Sequence, residues 1–139
     1  MILNARNNCV LLVDDDPDDI FLHRLVIEES LIASRIVVAE NGEAAWKYIS
    51  RPEQTDFEKP SVIFLDINMP RMNGFEFLAL YKTLSEEQRQ GTKLVVLSSS
   101  SHDHQKAFSI YPDIHYVTKP LTSTVLSVIV NDESSFLNA

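Results

Sequence analysis

Val62-Ile63-Phe64-Leu65-Asp66 is an apolar run that stops on a carboxylate, and the same design recurs along the chain. Cys9-Val10-Leu11-Leu12-Val13 stops on Asp14 and Asp15, Leu94-Val95-Val96-Leu97 on Ser98, and Tyr116-Val117-Thr118 on Lys119-Pro120. Unlike strands with one wet face, the runs do not alternate polar with apolar residues. That is the pattern of strands covered on both sides. Longer, helix-like stretches separate them, as in βα units wound around a parallel sheet. Strands are expected at about 9–13, 35–39, 61–66, 93–98 and 115–118. Five helices are expected, at about 17–29, 42–50, 75–84, 103–110 and 123–130, with surface loops at 51–60 and 85–92.

Asp16 suits the cap of the first helix and Pro17 its first turn. Ile20, Phe21, Leu22, Leu25, Val26 and Ile27 make a broad apolar band on that helix, read as core. Val128 is likewise read as core, with a homodimer contact as the alternative.

The chain has 139 residues, enough for one domain, with 45% hydrophobic residues to build a core. The working core is expected at about 8–131, with short flexible ends. A net charge of -8 disfavours nucleic acid and anionic membrane as partners, because phosphates repel it. Cys9 is the only cysteine, so no internal disulfide can form. With no signal peptide and no apolar stretch of about 20 residues, the expected location is the cytoplasm. Three glycines and no glycine-rich loop disfavour a nucleotide fold of the P-loop or dinucleotide type.

In an open parallel sheet, sites form beyond the carboxyl ends of the strands. Asp14, Asp15, Asp66, Ser98 and Lys119 all fall at such ends. Singly, each reads as a turn residue, a helix cap or a solvated lysine. Together they make a pocket of three carboxylates, a hydroxyl and an ammonium. Two carboxylates about 4 Å apart repel by about 4 kcal/mol at an effective dielectric of 20, which a divalent cation or an ammonium offsets. Hard oxygen ligands favour magnesium or manganese over zinc. A carboxylate beside such a cation can attack phosphorus without a separate base. His102 and His104 flank Asp103 without the ligand spacing a metal site needs, and His23 falls within the first helix.

Val13-Asp14-Asp15-Asp16, Leu65-Asp66-Ile67-Asn68-Met69-Pro70-Arg71-Met72-Asn73-Gly74, Leu97-Ser98-Ser99 and Thr118-Lys119-Pro120 together resemble the receiver domain of two-component response regulators, in its stand-alone single-domain form. The resemblance implies a three-layer, doubly wound α/β sandwich of the flavodoxin-like, CheY-like type, with strand order 2-1-3-4-5. It implies Asp66 as phosphoacceptor, Ser98 and Lys119 as ligands of the phosphoryl oxygens, and Ser98 and Tyr116 as switch residues. Asp14, Asp15, Asp66 and the backbone carbonyl of Asn68 would hold magnesium, with manganese as a substitute. The implied donor is a sensor histidine kinase or a phosphotransfer protein, and the output is a downstream protein target. The chain would not be an enzyme, although it would assist its own phosphorylation and dephosphorylation. Two alternatives stay open: a small magnesium-dependent aspartyl phosphohydrolase, and a degenerate receiver that serves only as a binding module. The hydrolase reading expects an acid two residues after the nucleophile, where this chain has Asn68.

Overall fold

A computed structural model describes residues 8–131. The chain runs β1 (Cys9–Val13), α1 (Pro17–Glu29), β2 (Arg35–Ala39), α2 (Gly42–Ile49), β3 (Pro60–Asp66), α3 (Gly74–Tyr81), α4 (Glu86–Arg89), β4 (Lys93–Ser98), α5 (Ser101–Ile110), β5 (His115–Thr118) and α6 (Ser123–Val130). All neighbouring strands pair in parallel, in the order β2-β1-β3-β4-β5. The expected fold class and strand order therefore hold. The expected frayed ends lie outside the described residues.

Two-residue periodicity sorts the strand side chains to opposite faces. Leu11, Val13, Ile63, Leu65, Leu94 and Val96 join Ala45 and Ile49 of α2, Phe77 and Tyr81 of α3, and Ala107 of α5. Val10, Leu12, Val62, Phe64, Val95 and Leu97 join Ile27 of α1 and Leu126 and Ile129 of α6. Burial on both faces is why these runs are continuously apolar.

Among the described residues there are six helices, not five. The additional one is α4, a single turn within the stretch read as the 85–92 loop. Ser85 and Gln88 close it with a reciprocal capping box, a local signal that outweighs its lack of an apolar face. A second capping box, between Asn73 and Glu76, starts α3 at Gly74. α5 begins at Ser101, capped by Ser100, two residues earlier than expected.

The apolar band of α1 divides. Ile27 is buried, but Phe21 is 71% exposed and Leu22 and Leu25 are also open to solvent. Val128 of α6 is 67% exposed, so its reading as core is overturned. Helical spacing alone does not distinguish the inner flank of such a band from the outer. No helix among the described residues is long and apolar enough to cross a membrane.

Candidate functional site

Register brings the ends of the central strands to one edge. Val13 pairs with both Ala39 and Leu65, and Asp66 pairs with Leu97. The residues that follow β1 and end β3 therefore lie side by side. The Asp14 amide donates to the Ala39 carbonyl at 3.0 Å, which continues the ladder one residue beyond β1 and draws Asp14 into the interior. Its side chain caps the turn by accepting from the Asp16 amide at 3.0 Å. Asp16 in turn accepts from the Asp18 amide at 2.9 Å and starts α1.

Asp14 is fully buried, Asp66 is 7% exposed and Asp15 faces solvent. Each of the three offers a carboxylate oxygen, and these oxygens lie within 4.8 Å of one another. Lys119 stands among them. Its Nζ lies 3.1 Å from Asp66 Oδ1, 3.3 Å from Asp14 Oδ2 and 2.9 Å from Asp19 Oδ2. The Lys119 amide donates to the Ser98 carbonyl at 3.1 Å and ties the turn after β5 to the end of β4. The Lys119–Pro120 peptide is cis.

Burial pushes the Asp66 carboxyl up to about 6, and the Asp14 charge pushes the same way against the opposing pull of Lys119. At pH 7 Asp66 is still mostly ionised. Burial works against the Lys119 charge, but its hydrogen bond to Asp19 and the charges of Asp14 and Asp66 outweigh that and hold it above the ordinary lysine range. Three carboxylates, Asp14, Asp19 and Asp66, thus share one ammonium, and Asp15 adds a fourth negative charge beside them. The excess negative charge, hard oxygen donors and spacing of Asp14, Asp15 and Asp66 suit a divalent cation.

Gly74 shapes the loop after Asp66. A Cβ there would come within 2.6 Å of the Asp66 carbonyl oxygen and 2.8 Å of Ile67 Cα. Asn68 is exposed in this loop. Ser98 is buried at the end of β4, but its hydroxyl donates to Asp103 Oδ2 in the first turn of α5 at 2.5 Å. Tyr116 is half-buried, and its hydroxyl donates to the Ser100 carbonyl at 3.0 Å.

Residues 10–131 match the response regulator receiver domain. The chain belongs to that family. As a receiver domain it is 29% identical over 131 residues to the response regulator Rcp1 of Synechocystis, covering 91% of this chain and 86% of that one. The structure of manganese-bound Rcp1 superposes with a TM-score of 0.68 at 27% identity, covering 94% of each chain. A two-component response regulator from Cytophaga hutchinsonii gives a TM-score of 0.78 at 31% identity, over 95% of this receiver and 98% of that chain. The bacteriophytochrome response regulator RtBRR gives 0.76 at 27%, over 93% and 77%. This receiver spans 36% and 13% of two further, longer relatives.

The structure thus gathers Asp14, Asp15, Asp66 and Lys119 at one edge, with Ser98 close behind on the neighbouring strand. Sequence reasoning missed Asp19 as a partner of Lys119. The signal was available, because a helix starting at Pro17 places Asp19 in its first turn, above the end of β1. It also missed the roles of three residues around the site. Asp103 binds Ser98. The His104 ring stacks on Tyr116 with centroids 4.1 Å apart and planes 7° apart. His23 is fully buried, and its Nε2 accepts from the Leu121 amide at 3.2 Å, just past Lys119-Pro120. An imidazole buried in that role is no phosphotransfer histidine.

Proposed function

We propose that Asp66 accepts a phosphoryl group from the phosphohistidine of a sensor histidine kinase, directly or through a phosphotransfer protein, and that the modified protein engages a downstream protein target. The observation that carries this reading is a buried carboxylate at a strand end, 3.1 Å from a lysine ammonium and beside two further carboxylates. An Asp66 oxygen attacks phosphorus, the P–N bond to the donor imidazole breaks, and the departing nitrogen takes a proton. Lys119 Nζ stays beside the reacting oxygen and pairs with a phosphoryl oxygen, so the new charge meets a fixed cation. Asp14 and Asp15, with Asp66 and the Asn68 carbonyl, would hold magnesium or manganese. When bound, that cation supplies charge neutralisation for the transferring group. The manganese-bound form of the relative Rcp1 supports the choice of metal class.

On this reading the protein is a switch, not a multiple-turnover enzyme, and it works in the cytoplasm alongside its kinase. Incubation with magnesium and acetyl phosphate, followed by intact mass measurement, tests it. A single labile phosphoryl adduct that is absent in Asp66→Asn is expected. Turnover of a phosphate ester would point to a hydrolase instead. Failure of every donor to modify Asp66 would overturn the assignment and leave a binding module.

A further inference from the structure

Between β4 and β5, a second set of contacts closes over the switch residues. The Ser98 hydroxyl donates to Asp103 Oδ2 and accepts from the Ser100 amide at 3.1 Å. The Ser100 carbonyl accepts from the Tyr116 hydroxyl, and the Tyr116 ring lies flat against His104, one residue past Asp103. Ser98 is thus committed to a carboxylate of α5, not to Asp66, whose own partners are Lys119 and the Ile67 amide. A hydroxyl has one proton to donate. It can serve the Asp103 carboxylate or a phosphoryl oxygen on Asp66, but not both.

We infer that Asp103 is a positioning residue that latches the unmodified state: it holds the Ser98 hydroxyl away from the acceptor site, and phosphorylation has to win that proton from it. The inference rests on the proposed phosphorylation of Asp66. It explains how modification at the end of β3 reaches α5. Once Ser98 turns to the phosphoryl group, Asp103 loses its donor and the Ser100 amide loses its acceptor. The first turn of α5 then has no side-chain tie to β4 through Ser98, and the Tyr116–His104 stack is free to rearrange with it. Hydrogen bonds to a charged acceptor are stronger than neutral ones, so the latch opposes switching while it is intact.

Asp103 also sits in the first turn of a helix, where an acid favours the helix dipole whatever Ser98 does. A double-mutant cycle separates the two roles. Asp103→Asn keeps the shape and weakens the acceptor. It should speed phosphorylation of Asp66 by acetyl phosphate about fivefold, the difference of about 1 kcal/mol between a charged and a neutral hydrogen bond. In a Ser98→Ala background the same substitution should change the rate by less than about twofold. A fivefold gain that persists without the Ser98 hydroxyl would mean removal of local charge or a helix effect, and would overturn the latch.

A second arm needs no phosphorylation. In the unmodified protein, Asp103→Asn should accelerate hydrogen exchange at the Ser100 amide, and not in the Ser98→Ala background. Unchanged exchange would refute the latch even if Asp66 never accepts a phosphoryl group. A missing adduct with normal exchange coupling would instead fault the function proposed for Asp66.

Discussion

Asp66→Asn is expected to make the folded protein more stable at pH 7 in the presence of a chelator, although it removes the proposed acceptor. The Asp66 carboxyl is pushed from 3.8 up to about 6 by burial and by the Asp14 charge, in spite of Lys119. At about 1.4 kcal/mol per unit, holding it ionised at pH 7 costs the fold up to about 3 kcal/mol. Asparagine keeps the shape without the charge, and Lys119 keeps Asp14 and Asp19 as partners. The sign follows from proton binding. Between about pH 4 and 6 the folded state holds the Asp66 proton more tightly than the unfolded chain, so this group's penalty is full above that window and gone below it. The advantage of Asn should therefore be greatest near pH 7 and vanish near pH 4. Urea unfolding followed by circular dichroism at both pH values, at unchanged slope, measures it. A variant no more stable than the parent at pH 7, or equally advantaged at pH 4, would refute the electrostatic reasoning. Added magnesium should narrow the gap, since a cation that binds the native carboxylates stabilises the parent more.

Lys119→Ala removes the one ammonium shared by Asp14, Asp19 and Asp66. It should destabilise the metal-free protein by about 3 kcal/mol at pH 7, with part of that loss restored by magnesium, and should abolish the change in partner binding on phosphorylation while metal binding persists. Equal stability with and without the lysine in chelator would count against the site's charge balance. Burial lowers the titration of His23 against the pull of Asp19 and Asp14, so the folded state resists its protonation and stability falls as pH drops below 6.5. His23→Gln retains an acceptor for the Leu121 amide and should show a shallower loss as pH falls below 6.5. Parallel pH profiles for variant and parent would remove His23 as the cause.

Sequence by itself determined the five strands, five of the six described helices and the polar groups that end the strands at one edge. The unbroken apolar runs, about five residues long and separated by helix-like stretches, read as strands covered on both faces, and each stopped on a polar group at the same end. Once the strands were parallel, Asp14, Asp66, Ser98 and Lys119 had to share an edge. The cap at Asp16 was legible for similarly local reasons. Tertiary structure decided what each group binds there. Lys119 meets Asp19 and Asp14 across about a hundred residues of chain, Ser98 gives its proton to Asp103, and His23 anchors the turn after β5. It also decided which flank of α1 faces water, leaving Phe21 exposed and Ile27 buried. Periodicity and end residues are properties of a short stretch of chain, whereas a hydroxyl's choice of acceptor depends on which carboxylate the packing of distant elements brings nearest.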